Sequence, residues 1–186
     1  GIPDGFFRPA AAELGIELTA FGKVGVGMVF LPTDRDIAAR CREIIEAAAE
    51  EEDSLFLGWR KPPVNPSCLG ELARSTSPRI RQFFIRPAGD DAAARERVLY
   101  RIRRRAEKEI TAHLGEKAED FYICSLSTRT IVYKGMFTAS QLGSFYPDLE
   151  DGRFATDFAV IHQRYSTNTL PTWKLAQPFR YVAHNG

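Results

Sequence analysis

The sequence predicts an α+β fold, and three observations carry that prediction. Strand-like and helix-like stretches come in groups instead of alternating strictly. The run "KVGVGMVFLP", from Lys23 to Pro32, is β-rich, interrupted by glycine and closed by proline, so it reads as a buried strand. Residues 92–114 carry a single apolar stripe at helical spacing, the longest in the chain.

The elements follow in order. Thr33 or Asp34 caps a helix in which Ile37, Cys41, Ile44, Ile45 and Ala48 recur on one face, and the acidic run Glu50 to Asp53 ends it. "SLFLGWR" is a strand. "KPPVNPS" is irregular, because its prolines remove donors and restrict the residues before them. Ser67 caps a short helix through Ala73, and "RIRQFFIRP" is a strand ended by Pro87. In the long helix Val98, Ile102, Ile110 and Leu114 form the stripe, with Leu99 and Ala106 beside it and Gly115 as the C-terminal cap. "FYICSLS" and "TIVYKGM", broken at Thr128 and Arg129, form a hairpin. A loop or short helix from Ala139 to Phe145 leads to Pro147, after which "RFATDFAVIHQRYS" and "FRYVAHNG" are sheet strands.

Composition narrows the class. The 186 residues are 44% hydrophobic, enough to build a core, and the net charge of +1 gives no push toward nucleic acid or an anionic membrane. No apolar run approaches the ~20 residues that cross a bilayer. The start, "GIPDGFFRPA", lacks the basic and apolar regions of a signal peptide. Cys41, Cys68 and Cys124 are odd in number, widely spaced and outside any C-x-x-C arrangement, which points to reduced thiols in the cytoplasm and away from a zinc site.

Few residues invite a chemical reading. The arginines of "ARERVLYRIRRRAEKEI" read as a solvated face neutralised by Asp90, Asp91, Glu96, Glu107 and Glu109; no aromatic ladder accompanies them for base stacking. Cys41 and Cys124 fall on apolar faces, where free cysteine behaves as a small hydrophobe, and Cys68 lies in a proline-rich loop; none of the three is expected to be a nucleophile. In "IHQRYSTNT", Phe158, Val160 and Ile161 mark a strand buried on both faces, so Arg164 should face a carboxylate. That carboxylate is either a ligand, which the planar guanidinium would grip bidentately, or an internal partner such as Asp157. His162 points to the same face and is expected to be a satisfied core histidine. In "HNG" an asparagine amide and the next backbone N–H can converge on one oxygen; taken alone, the tripeptide reads as an Asn-Gly turn.

Together these pieces carry a resemblance. "FAVIHQRYSTNTLPTWKLAQPFRYVAHNG" has the order H-x-R-x-S-T, a gap, A-Q-P-F and H-N-G, and it resembles the glutaminase domain of the class-II glutamine amidotransferases, which are N-terminal-nucleophile hydrolases. Within that class it is closest to the glutamate synthase large-subunit version. "RYSTNTLPTW", "FYICSLSTRTIVYKGMFTASQLGSFYPDL", "VGVGMVFLP" and "GWRKPPVNPSCLGELARSTSPRIRQFFI" are similar to it, so the resemblance spans nearly the whole chain.

The resemblance implies an αββα four-layer sandwich, incomplete at both ends, with residues 1–186 forming part of a glutaminase domain. It implies glutamine hydrolysis by an N-terminal cysteine whose α-amino group is the base, the ammonia passing to a synthase site that makes glutamate from 2-oxoglutarate. Arg164 matches the residue that holds the substrate α-carboxylate, Thr167 matches one that lines the glutamine pocket, and Asn185 with Gly186 match the oxyanion pair. The chain begins at Gly1 with no thiol or hydroxyl, so the nucleophile is expected upstream and the isolated chain is expected to be inactive. No cofactor or metal is expected within the chain. The parent is expected to use FMN and an iron–sulfur cluster, with NAD(P)H or ferredoxin as electron donor, and to partner a small FAD/NADPH subunit. The rival readings are another class-II amidotransferase and a nucleophile-less glutamine-binding or partner domain.

Overall fold

The computed structural model describes residues 2–18, 22–165, 168 and 170–179. Its order is α1 (Asp4–Ala12), β1 (Gly25–Leu31), α2 (Arg35–Glu50), β2 (Leu55–Arg60), α3 (Glu71–Ser75), β3 (Arg79–Arg86), α4 (Ala92–Leu114), β4 (Tyr122–Ser127) and α5 (Leu142–Phe145). The four strands form one antiparallel sheet in the order β2-β3-β1-β4, with Met28 opposite Gln82 on one side and Ser125 on the other. The α+β class is as expected. Of the four layers of the sandwich, the described residues show this sheet and the helical layer of α2 and α4.

The pleat of β1 explains both apolar layers. Val29 and Leu31 face α2 and α4, packing with Cys41, Ile45, Leu99, Ile102 and Ala106. Val26, Met28 and Phe30 face the other way, toward α1 at one end and the segment 131–149 at the other. The glycine at position 27 has a steric cause: a Cβ there would lie 2.3 Å from the Phe83 ring. A bulge between Met28 and Val29 shifts the β4 register, so that Ile123 and Leu126, three residues apart, both face the α2 and α4 layer.

The helix termini obey local chemistry. Asp34 caps α2 by accepting from the N–H groups of Asp36 and Ile37, each at 2.9 Å, and Asp91 caps α4 by accepting from Ala94 at 2.7 Å. The stripe of α4 is buried through Val98, Leu99, Ile102, Ala106 and Ile110, and Gly115 follows as its cap. Ser67 is not the cap of the next helical piece. Asn65 takes that role for the short turn Pro66–Cys68, accepting from Ser67 N at 3.1 Å, because its side chain reaches two residues on as an Asx turn does.

Three further expectations change. The helix α1 was not foreseen; its buried Phe6, Phe7, Ala10 and Ala11 have helical spacing, but Pro9 within it reads as a breaker. Residues 131–136 form no second hairpin strand. Val132 N donates to the Ser125 hydroxyl instead of a ladder carbonyl, and Glu96 takes the N–H and hydroxyl of Thr128, turning the chain off the β4 edge. Residues 154–165 form no strand either: no described strand pairs with them, and Phe158 and Ile161 are each 76% exposed. Their apolar residues do not alternate, so no pleated face would bury them consistently. The second expected strand, "FRYVAHNG", lies outside the described residues apart from Phe179.

Candidate functional site

Among the described residues, the segment from 170 to 179 is anchored to the sheet through Trp173 and held by Lys134. Trp173 is 5% exposed and stands edge-on to Phe30 at 5.7 Å between ring centroids, with Phe145 at 5.6 Å. Its indole N–H donates to Ala73 O at 3.1 Å, so the polar atom of a buried ring is satisfied. Gly135 makes the space: a Cβ there would meet the Trp173 ring at 2.6 Å and Phe137 at 2.4 Å. After Trp173 the backbone makes one tight turn, with Ala176 N donating to Thr172 O at 3.1 Å.

Lys134 holds that turn from below. It is 2% exposed, and its ammonium donates to the carbonyls of Lys174 at 2.8 Å and Ala176 at 2.7 Å. The Tyr122 ring lies 4.2 Å from Nζ and the Phe179 ring 5.0 Å, adding cation–π stabilisation to a buried ammonium. The Tyr146 hydroxyl donates to the carbonyl of Lys134 itself at 2.9 Å. Sequence reasoning missed this lysine. Its only signal was a single charge inside the apolar run "TIVYKGM", which alternation assigns to solvent.

The predicted site residues fare differently. Arg164 is exposed, and among the described residues no carboxylate pairs with it, Asp157 included. The expectation of a buried, paired arginine is therefore corrected, for the same reason that no strand forms there. His162 is also exposed rather than a core residue, and its Nε2 contacts Arg164 O. Thr167, Asn185 and Gly186 lie outside the described residues.

The remaining candidates are structural. Burial pushes the Cys41 thiol up to about 11, opposite to what a nucleophile needs, and Cys124 is buried beside Tyr122. Cys68 is partly exposed, with its thiol 3.1 Å from Asn65 O. Four of the six arginines of α4 form ion pairs on the molecule: Arg101 with Glu52 at 2.6 Å, Arg105 with Glu51 at 2.7 Å, and Arg103 and Arg104 with Glu107. Much of that neutralisation comes from the acidic end of α2, not from the acids of α4 alone, and Glu96 caps Thr128 instead. A cleft of about 130 Å³ beside Trp173, lined by Leu72, Thr76, Met136 and Lys174 among others, is smaller than the roughly 300–1,000 Å³ of ordinary ligand pockets. Among the described helices none is long and apolar enough to cross a membrane.

Comparison with known proteins decides the family. The family model described as "Glutamine amidotransferases class-II" matches residues 1–186. The chain belongs to the class-II glutamine amidotransferases. Over its full length it is 48% identical to the "Glutamate synthase [NADPH] large chain" of Azospirillum brasilense and 44% identical to the protein of that name from Bacillus subtilis (strain 168). It is 43% identical to the "Ferredoxin-dependent glutamate synthase 1, chloroplastic/mitochondrial" of Arabidopsis thaliana. The chain spans 12%, 12% and 11% of the length of these three relatives. As a class-II amidotransferase segment, it presents its candidate substrate arginine on the surface and anchors the turn that follows through Trp173 and Lys134.

Proposed function

We propose that the chain is part of the glutaminase domain of a glutamate synthase large subunit, hydrolysing glutamine to glutamate and ammonia that serves the conversion of 2-oxoglutarate to glutamate. The carrying observation is similarity over the whole chain to large chains of that name, at 48% and 44% identity. The exposed Arg164, free of an internal carboxylate among the described residues, supports its assignment to a ligand.

In this reading a cysteine outside the three of this chain attacks the side-chain carboxamide of glutamine. Asn185, through its amide, and Gly186, through its N–H, hold the oxyanion that forms, while Arg164 grips the α-carboxylate and Thr167 lines the pocket. The C–N bond then breaks, ammonia leaves, and water hydrolyses the thioester to release glutamate. Removing one oxyanion donor costs typically ~10²–10³ in rate.

The larger protein would use FMN and an iron–sulfur cluster, draw electrons from NAD(P)H or ferredoxin, and work in the cytoplasm with a small FAD/NADPH subunit as partner. Relatives bearing NADPH in their names lie at 48% and 44% identity and one bearing ferredoxin at 43%, so both donor classes stay within the reading. The test is ammonia release from glutamine by the full-length polypeptide, wild type and Asn185→Ala. A loss of about a hundredfold or more in kcat is expected; a wild-type protein that releases no ammonia from glutamine would sink the reading.

A further inference from the structure

Directly opposed residues of an antiparallel pair share a face, so the register fixes where two arginines of β3 stand. Arg79 lies opposite Leu31 and Arg81 opposite Val29, which places both on the side of the sheet that α2 covers. Trp59 of β2, opposite Phe83, is on that side too, and the Arg42 guanidinium of α2 lies 4.9 Å from the centroid of its ring. Three cations thus gather between α2 and β3, and among the described residues none of them forms an ion pair. We propose that Arg42, Arg79 and Arg81 form a binding site for a doubly charged, phosphate-type oxyanion.

Acids of α2 and its cap are engaged elsewhere. Glu46, one turn after Arg42, accepts from the Trp59 indole at 2.5 Å. Glu43 pairs with Arg40 at 2.8 Å, and Asp34 accepts from the N–H groups of Asp36 and Ile37. All three arginines of the cluster are partly buried, and the Arg42 Nε is buried without a hydrogen-bond partner among the described residues. Burial, with the charges of Arg42 and Arg79 beside it, pulls the Arg81 guanidinium below its ordinary value. Like charges held together out of water destabilise the fold unless an anion offsets them. The forks are also held ready. Arg79 donates one N–H to Thr33 O and Arg81 one to Ile80 O, each at 2.7 Å, which fixes both side chains and leaves their other donors for a ligand. A guanidinium grips carboxylate and phosphate alike, but a carboxylate brings a single charge to three cations. A phosphate group brings about −1.5 to −2 at pH 7 and three acceptor oxygens.

The site does not depend on glutamine hydrolysis, and the arginines themselves report on it. The full-length polypeptide is labelled with an arginine-selective dicarbonyl while inorganic phosphate is titrated in against potassium chloride of equal ionic strength, and the labelled residues are mapped on peptides. Phosphate is expected to slow the labelling of Arg42, Arg79 and Arg81 about tenfold, with half of the effect reached at roughly 1 mM or below. Arg40, exposed on the same helix, should be labelled as before. Arg81→Gln is expected to raise the half-protecting concentration at Arg42 and Arg79 about tenfold or more. Without phosphate, amide exchange over residues 35–50 should be no faster in that variant than in wild type, because a repelling charge has gone; with phosphate it should be faster, because the ligand then stabilises wild type alone. Equal protection by chloride, or protection undiminished in Arg81→Gln, overturns the site. So does a wild-type cluster that takes no label in either salt while Arg81→Gln speeds exchange without phosphate, since an acidic segment of the longer polypeptide then covers the arginines already. Should Arg81→Gln not fold, Arg42→Gln serves instead: protection at Arg79 and Arg81 is expected to weaken by a similar factor, and unchanged protection overturns the proposal.

Discussion

Arg60 and Asp148 lie 88 residues apart in the chain and meet as a two-pronged ion pair, with N···O distances of 2.6 and 2.9 Å. The pair is largely dry, with side chains 11% and 2% exposed. Gln82 accepts from Arg60 at 2.7 Å and donates to the Tyr133 hydroxyl at 2.8 Å, which in turn donates to Asp148 at 3.0 Å. Burial, with the Asp148 carboxylate beside it, pushes the Tyr133 phenol far above its ordinary value, so it remains a donor. This closed ring ties β2 and β3 to the segment after α5. Asp148→Ala strands a buried guanidinium and is expected to lower the unfolding free energy by ~3–5 kcal/mol in urea titrations. Replacing both partners with apolar residues of similar volume should recover most of that loss.

Acid should loosen the contact between α2 and α4. The Glu52 carboxyl is held below its ordinary range chiefly by the hydrogen bond from Arg101, with Arg105 adding a second. A carboxyl depressed on folding stabilises fully above its unfolded pKa, about 4.3, and that stability is lost as pH falls through the lower folded value. Glu52→Gln is therefore expected to melt lower at pH 7, by the equivalent of roughly 0.5–1 kcal/mol, since both arginines are half exposed. The gap between variant and wild type should close in melts run progressively below pH 4.3.

Thiol chemistry should single out Cys68. Cys41 is buried with its thiol pushed up to about 11, and Cys124 is buried in β4, whereas Cys68 sits on a surface turn. Among this chain's three cysteines, a disulfide reagent at pH 8 is expected to label Cys68 alone in the native protein and all three in denaturant, as read by peptide mapping. Cys68→Ser should remove the native label from this chain's peptides and leave the melting temperature nearly unchanged. Rapid native labelling of Cys41 would contradict the packing of α2 against the sheet.

These expectations show which signals the sequence carries. Capping and periodicity are local, so Asp34, Asp91 and the stripe from Val98 to Ile110 were readable from their neighbours alone. The segment from Ile131 to Met136 was not. Its β-rich alternation is genuine, yet tertiary partners override it: Ser125 takes Val132 N, and carbonyls about forty residues downstream take the Lys134 ammonium. For the same reason the apolar residues around Arg164 suggested a buried strand where the structure leaves the arginine exposed. A guanidinium that waits for a ligand's carboxylate need not be buried beforehand. The anchor Trp173 was visible only as one letter of "NTLPTW", because its partners Phe30, Ala73 and Phe145 come from three distant stretches.

Arg164 offers the sharpest separation between a structural and a ligand-binding role. An internal salt bridge broken by Arg164→Ala would leave a buried carboxylate unpaired and cost ~3–5 kcal/mol. The exposed side chain, with no ion pair among the described residues, predicts instead a stability change within about 0.5 kcal/mol. The penalty should appear in substrate recognition. A charge-assisted contact to the α-carboxylate is worth roughly 1.5–3 kcal/mol, so KM for glutamine in the full-length polypeptide should rise ~10–150-fold. The control is a glutamine analogue whose α-carboxylate is converted to an amide. Wild type should discriminate against it by a similar factor, and Arg164→Ala should lose that discrimination. Arg164→Lys should restore only part, because a point charge lacks the planar fork that meets both carboxylate oxygens. If Arg164→Ala unfolds the protein while the discrimination persists, the arginine belongs to the scaffold and another cation must hold the α-carboxylate.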